Sequence, residues 1–340
     1  MTQHDGVTSI CTNLQNRFVL AGHYISLSLQ EPDMKLRNVL AAGIGGLGLT
    51  AASNRLLQAK SSDLETPLPG DRRSYRWRGF DISYTQAGDP ADPQLVLVHG
   101  INAAATSREF ETVFESLAEE YRVIAPDLPG FGMSDRPPLL YSAPLYEQFL
   151  VDFLTDLTDQ PTVVGSGLSG AYAAFAAEEA EVSELVLLCP TDTTMGGNGT
   201  RTWVRSLLRS PLVGQALFNA LVSKSSMRHF HADHGYYDMD NLTEDRLDYE
   251  WHSAHQEGAR FAPASFLGGF LDPEQSLAAE LPNIDVPVTL VWGRDASTTP
   301  LADGRSLADE SDAKLVVFDE ANLLPHVEHP DRFVELLVEE

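Results

Sequence analysis

The sequence is poor in cysteine, in lysine and in long apolar runs, and each shortage excludes a class of protein. Two cysteines in 340 residues, Cys11 and Cys189, cannot form a disulfide framework. Cys189 ends the apolar run LVLLC and is expected to be a small buried side chain. Neither an internal repeat nor a low-complexity tract is present. The sequence therefore predicts neither a disulfide-rich scaffold nor a repeat array.

Basic residues are scarce compared with acidic ones. The chain has 49 Asp and Glu against 23 Lys and Arg, a formal net charge of −26, and only four lysines. Such a surface repels phosphate, which excludes nucleic acids as partners. Self-repulsion of this size is tolerable where salt screens charges over a few ångströms. The composition resembles that of haloarchaeal proteins, and we expect a cytoplasmic protein adapted to high salt.

Residues 1–70 lack the pattern of a folded domain and are predicted to be a leader, either disordered or associated with a membrane. The uncharged, glycine-rich run Asn38–Asn54 is too short for a spanning helix, which needs about 20 apolar residues. Met34–Arg37 before it is typical of the basic start of an anchor. Peripheral membrane association through residues 34–55 and a loosely packed surface helix both stay open. We also expect Met34 to be the true initiator, with residues 1–33 an upstream translation artefact.

From Tyr75 onward, strand and helix patterns alternate. Tyr75–Trp77 and Asp81–Gln86 have the pattern of an antiparallel pair, and Leu95–Val98 is typical of a strand buried on both faces. Further strands are predicted at Arg122–Ala125, Thr162–Val164, Leu185–Leu188, Val288–Trp292 and Leu315–Phe318, and helices at Thr106–Glu120, Tyr146–Leu157, Ser169–Glu178, Leu301–Ala308 and Asp331–Val338. This alternation predicts a mostly parallel sheet with helices on both faces.

Four stretches of this region follow one another in the order of a known family. They are LVLVHGIN (Leu95–Asn102), VIAPDLPGFGMSDRP (Val123–Pro137), WGRD (Trp292–Asp295) and ANLLPHVEHP (Ala321–Pro330). On these motifs the chain resembles the α/β-hydrolase superfamily, in particular the group that includes esterases, haloalkane dehalogenases and epoxide hydrolases. The resemblance implies an eight-stranded, mostly parallel sheet with a helical cap inserted after strand 6. It also implies a core of residues 71–192 and 285–340 and a cap of residues 193–284.

The chemistry of that family requires a nucleophile, a histidine and a carboxylate that orients the histidine. The stretch VVGSGLSGAYA (Val163–Ala173) has the strand–turn–helix pattern of the G-x-S-x-G elbow, but Gly167 occupies its central position. The last motif aligns Leu323 with the histidine, and the motif after strand 7 aligns Ala296 with the acid. All three triad positions therefore lack the catalytic side chain.

Other side chains are spare candidates for a displaced triad. They are Ser166, Ser169, Asp295, Asp192 and His326. Ser166 precedes the elbow and is expected to point away from the pocket, while Ser169 is expected to be packed in the following helix. Both the nucleophile and the base would have to be rebuilt for catalysis.

The cap segment contains a histidine-rich motif, HFHADH (His229–His234), with the spacing of metallo-β-lactamase-type metal sites. In that family the motif follows a buried strand, whereas here it lies among helix formers. We interpret it as a chance match on a solvated cap surface, and we predict neither a metal nor a cofactor.

The elbow retains one functional element of the family. The backbone N–H groups of Leu168 and of Ile101 or Asn102 are expected to form an oxyanion hole. The sequence favours a catalytically inactive or reduced α/β-hydrolase-fold protein that binds a small apolar or carbonyl-containing ligand or a protein partner. The alternative is an active hydrolase of esters or related C–X bonds with a displaced triad.

Overall fold

The computed structural model of the protein describes residues 36–61, 63–194 and 199–339. The chain divides into two units, Met1–Leu49 and Thr50–Glu340. Helix α1 (Leu36–Lys60) begins in the first unit, and the second unit contains the sheet. The predicted initiator Met34 and the segment before it lie outside the described residues. None of the described helices is long and apolar enough to cross a membrane.

Eight strands of the described chain form one sheet in the order β1-β2-β4-β3-β5-β6-β7-β8. They are β1 (Asp71–Trp77), β2 (Phe80–Ala87), β3 (Gln94–Val98), β4 (Arg122–Pro126), β5 (Thr162–Ser166), β6 (Glu184–Leu188), β7 (Val288–Gly293) and β8 (Lys314–Phe318). The pairs β1–β2 and β2–β4 are antiparallel, and the other pairs are parallel. The predicted eight-stranded, mostly parallel sheet is confirmed.

The central strands are apolar on both sides because each side of the sheet faces a separate core. In β3, Val96 and Val98 pack into one core, whereas Leu95 and Leu97 pack into the other. Successive side chains of a strand point to opposite faces, so a continuous apolar run supplies both cores. β3 is therefore buried on both faces, as its short apolar run predicts.

Helices cover the sheet, and the chain between β6 and β7 is helical. The described helices after α1 are α2 (Phe114–Leu117), α3 (Ala143–Leu157), α4 (Leu168–Ala176), α5 (Thr202–Arg209), α6 (Val213–Leu221), α7 (Lys224–Phe230), α8 (Glu244–Ala254), α9 (Phe261–Leu267), α10 (Leu277–Glu280), α11 (Leu301–Glu310), α12 (Pro325–Glu328) and α13 (Pro330–Val338). The helices α5–α10 lie between β6 and β7, in the segment that the sequence predicts to be the cap.

The structure differs from the predicted elements after β3. Instead of one helix over Thr106–Glu120, it has a 3₁₀ turn at Ser107–Phe110 followed by the short helix α2. Asp127 accepts hydrogen bonds from both the N–H and the hydroxyl of Ser107, each at 2.8 Å. These hydrogen bonds connect the 3₁₀ turn to the chain just after β4. Such side-chain contacts cannot be predicted from the periodicity of apolar residues.

The predicted boundary of the leader at residue 70 cuts into the core. Leu68 is 2% exposed and packs with the same core as Leu95 and Leu97. The carbonyl oxygen of Glu65 accepts a hydrogen bond from the hydroxyl of Tyr249 at 3.1 Å. Residues before β1 are therefore part of the packed fold.

Candidate functional site

A sharp turn at Gly167 joins β5 to α4. Gly167 has φ +54° and ψ −122°, a backbone conformation that glycine adopts without strain. Its N–H donates to the carbonyl oxygen of Leu188 at 2.9 Å, and its own carbonyl accepts from the N–H groups of Gly170 and Thr191. A Cβ built on Gly167 would meet no atom within 4 Å. These hydrogen bonds fix the backbone of the turn, and the space next to the Cα of Gly167 is empty.

A cavity of about 410 Å³ lies over this turn. Its floor comes from the carboxyl ends of β3, β5 and β6, where a parallel sheet places its binding crevice. The lining residues are Gly100, Ile101, Asn102, Glu109, Ser166, Gly167, Leu168, Cys189, Thr191, Thr193, Thr194, Phe230, His231, His234, Gly235, Phe266, Thr298, Thr299, Leu323 and Leu324. Most of this surface is apolar, with a few polar groups that converge on the floor and the roof.

Two backbone N–H groups on the floor are free to bind a ligand oxygen. Ile101 and Leu168 both line the cavity, and no other described residue accepts a hydrogen bond from their N–H groups. Leu168 begins α4, so its N–H belongs to the first turn, which has no partner within the helix. Asn102 also lines the cavity, and the hydrogen bond that its side-chain oxygen accepts from the N–H of Ala104 at 2.7 Å does not involve its own backbone N–H. Leu168 and either Ile101 or Asn102 therefore stay the candidate donors of an oxyanion hole.

Glu109 brings a carboxylate to the same floor. Its side chain is 8% exposed, and its Oε2 accepts from the N–H of Gly100 at 2.9 Å. Its Oε1 lies 3.6 Å from Nε2 of His326 and has no hydrogen-bond partner among the described residues. Burial, together with the nearby charge of Arg246, lowers the pKa of His326 to about 3, so its ring is neutral at neutral pH.

The segment between β6 and β7 contributes the second and third histidines of the HFHADH motif, His231 and His234, to the roof of the cavity. His231 opens a one-turn π-helix, His231–Gly235, and its Nε2 lies 2.8 Å from Oε2 of Glu250. A carboxylate can only accept, so Nε2 carries a proton, and Nδ1 has no hydrogen-bond partner among the described residues. Burial alone would raise the pKa of Glu250, but His231 and Arg246 hold it below its usual range.

The interpretation of this motif as a solvated surface is wrong for two of its histidines. His231 is buried and lines the cavity together with His234, whereas the side chain of His229 is 80% exposed. The fold turns one side of the segment inward, which spacing alone does not reveal. Within the described part of the chain, no group of three or more His, Cys, Asp or Glu residues is placed to hold a metal.

Comparison with known proteins shows which family has this architecture. The model of the alpha/beta hydrolase family matches residues 95–336. The chain belongs to that family. It is 25% identical over 281 residues to the uncharacterized hydrolase YugF of Bacillus subtilis, covering 77% of this chain and 95% of YugF.

Enzymes of the same family with named substrates are also similar. The chain is 27% identical over 271 residues to a 2-hydroxy-6-oxo-6-phenylhexa-2,4-dienoate hydrolase of Comamonas testosteroni, covering 76% of this chain and 91% of that protein. The solved structure of the hydrolase with the same name from Rhodococcus sp. superposes with a TM-score of 0.63 at 23% identity. That match covers 79% of this chain and 97% of the other and shows a shared fold.

The three residues that the sequence aligns with triad positions have different surroundings. Gly167 and Leu323 line the cavity. Ala296 is buried and does not line the cavity. Asp295 is exposed, and its N–H donates to the carbonyl oxygen of Ala321 at 2.9 Å.

The spare candidates do not come together as a triad. Asp192 accepts from the N–H of Leu277 at 2.8 Å and so binds the first turn of α10. His326 is fully buried between the rings of Phe110 and Phe333 and does not line the cavity. Ser169 is fully buried, and its hydroxyl has no partner among the described residues.

Ser166 differs from the expectation that it would face away. It lines the cavity, and its Oγ lies 3.2 Å from the position of a Cβ built on Gly100. Oε2 of Glu109 lies 3.3 Å from the same point, so both side chains lie beside Gly100. The structure therefore keeps a hydroxyl on the floor, one residue before the elbow position.

Two functional groups were missed by sequence reasoning. Glu109 lies in what the sequence presents as one amphipathic helix, where an acidic residue is ordinary and carries no signal. Cys189 lies on the cavity floor, and burial raises the pKa of its thiol to about 12, so it stays protonated and unreactive. Only the HFHADH spacing could have drawn attention to His231.

Proposed function

We propose that this member of the alpha/beta hydrolase family binds a small, mainly apolar carbonyl compound and lacks the nucleophilic chemistry of the elbow. The observation that carries the proposal is the open space beside Gly167, where a Cβ would touch nothing. The elbow serine of the family would stand in that space. Removing a triad member normally costs several orders of magnitude in rate.

The cavity that remains suits a carbonyl ligand. The N–H groups of Leu168 and of Ile101 or Asn102 bind the carbonyl oxygen, as an oxyanion hole does. Phe230, Phe266 and Leu323 surround the rest of the ligand with apolar surface. A few directional donors in an apolar cavity are the usual composition of a small-molecule site.

Binding of acetophenone tests this function, because it combines an apolar ring with one carbonyl. Calorimetric titration should detect saturable binding to the wild-type protein. The substitution Leu323→Trp fills the cavity and should abolish the heat of binding. Leu140→Trp is the matched control, since Leu140 is 60% exposed and does not line the cavity. Absence of acetophenone binding, or equal binding by both variants, would contradict the proposal.

A second candidate function is an active esterase that uses Ser166. The exposure of this hydroxyl to the cavity favours it, with Glu109 as the neighbouring carboxylate. Serine-directed phosphonates separate the two candidates. We expect no labelling of the wild-type protein and only background hydrolysis of an ester panel. Labelling that disappears in Ser166→Ala but persists in the buried control Ser169→Ala would establish the second candidate instead.

A further inference from the structure

Glu109 places a negative charge beside the two free N–H donors of the cavity floor. The hydrogen bond from the N–H of Gly100 holds its Oε2 at 2.9 Å, and Gly100 directly precedes Ile101. Its side chain is more than nine-tenths buried, and Glu109 lines the cavity. A ligand carbonyl bound at Ile101 therefore lies close to this carboxylate.

Glu109 has no ion pair with a lysine or arginine in the described part of the chain. The neighbouring His326 is neutral at neutral pH, because burial and the charge of Arg246 lower its pKa to about 3. Its Nε2 lies 3.6 Å from Oε1 of Glu109, too far for a hydrogen bond.

The nearest arginine is shared by other carboxylates. Arg246 is 5% exposed and lies 3.6 Å from Glu250 and 3.8 Å from Glu111. Arg108, Arg246, Glu250 and Glu109 line one small cavity of about 20 Å³ beside the main one. Arg108 pairs with Glu111, so two guanidinium groups among three carboxylates leave this end of the site with excess negative charge.

Oε1 of Glu109 is buried against His326, whereas Oε2 lies beside Gly100 on the cavity floor, 3.3 Å from the position of a Cβ built on that glycine. A carboxylate oxygen can accept more than one hydrogen bond, so Oε2 can accept from a ligand N–H or O–H next to the carbonyl in addition to the N–H of Gly100. A ligand carboxylate would instead bring a second negative charge into a site of low polarity, where repulsion is strong.

We propose that Glu109 makes the cavity selective for uncharged ligands with a hydrogen-bond donor adjacent to the carbonyl, such as carboxamides and α-hydroxy ketones, and that it excludes carboxylates. This inference rests on the proposed binding function and specifies its ligand class. Glu109 acts here as a specificity-determining residue that touches the ligand, and no covalent step is involved.

Three ligands of nearly equal shape test the inference, namely benzamide, acetophenone and benzoate. Calorimetry at neutral pH in molar KCl should rank benzamide about 10-fold or more tighter than acetophenone, the gain expected of a hydrogen bond to a charged group. Benzoate should bind at least about 10-fold more weakly than acetophenone. In Glu109→Gln both differences should shrink by most of their size, because the amide still accepts from Gly100 but carries no charge.

Glu115→Gln is the matched control. Glu115 lies on α2, six residues further along the chain, is exposed, and lines neither the main cavity nor the small one beside it. Its substitution should leave the ranking of the three ligands unchanged. Benzoate binding as tightly as benzamide, or the same response in both variants, would overturn the inference while acetophenone binding still supported the proposed function. Loss of all three ligands would overturn both.

Discussion

At the scale of single residues, burial decides which groups of this site are charged. His326 is fully buried between Phe110 and Phe333, and both of its ring nitrogens lack partners among the described residues. Its pKa is lowered to about 3, first by burial and then by Arg246. The folded protein therefore holds an imidazole that resists protonation.

This resistance predicts a loss of stability in weak acid. Histidine has a pKa of about 6.5 in an unfolded chain, so the unfolded state takes up a proton below that pH while the folded state does not. The free energy of unfolding should fall by up to about 1.4 kcal/mol per pH unit from about pH 6.5 towards pH 3. Denaturant melts between pH 7 and pH 4 measure this slope.

The variant His326→Phe isolates the contribution, because a phenyl ring suits the aromatic surroundings and cannot be protonated. Its stability should decline less steeply with falling pH than that of the wild type. His229→Gln removes an exposed histidine from the cap and should retain the wild-type slope. If the free energy of unfolding fell equally steeply with pH in the wild type and in His326→Phe, His326 would not be the source of the acid sensitivity.

At the scale of elements, the second half of α1 is attached to the cap. Asn54 is 7% exposed, and its amide donates to the carbonyl oxygen of Leu212 at 3.2 Å. Its Oδ1 accepts from the side chain of Asn219, on α6, at 3.1 Å. These buried hydrogen bonds, together with the buried Leu68, connect residues 50–70 to the rest of the fold.

Truncation before residue 71 should therefore destabilise the protein, contrary to what the sequence pattern predicts. A protein that begins at Asp71 loses Asn54 and Leu68, whereas one that begins at Thr50 keeps both. We expect the thermal midpoint of the first to lie several degrees below that of the second. Equal midpoints would show that residues 50–70 add no stability.

Point variants separate the hydrogen bonds from the rest of the segment. Asn54→Ala should cost about 1–3 kcal/mol, since it leaves buried polar partners on α6 unsatisfied. Ser53→Ala changes an exposed neighbour on the same helix and should cost almost nothing. Chemical denaturation of the two variants gives these values.

At the scale of the whole molecule, the net charge of −26 dominates the response to solvent. Most of the 49 acidic side chains are not offset by the 23 basic ones, and their mutual repulsion favours expansion. At molar ionic strength the screening length falls to about 3 Å, which removes most of this repulsion.

Salt should therefore stabilise the fold. We expect folding to be lost in dilute buffer and restored by molar KCl, with a thermal midpoint that rises across the range. Circular dichroism melts at several KCl concentrations test this expectation. A midpoint independent of salt would contradict it and would leave the acidic composition without a stabilising role.

The succession of strands along the chain and the position of the sharp turn after β5 could be predicted from the sequence because both depend on local patterns. A run such as Leu95–Val98 is apolar at every position, and only a strand between two cores accommodates it. Gly167 could be recognised as lacking a nucleophile for the same reason, since the turn that holds it has a local signature.

The composition of the cavity depended on contacts between distant parts of the chain. Glu109 reaches the floor because Gly100 donates to it and Asp127 breaks the predicted helix at Ser107. His231 reaches the roof because Glu250, 19 residues away, fixes its ring. Which side chains of the segment between β6 and β7 face the cavity depends on how that segment packs on the core. The local periodicity of the sequence does not determine this packing. The sequence therefore determined the family and the glycine at the turn after β5, while tertiary packing alone placed the carboxylate of Glu109 beside Gly100 on the cavity floor.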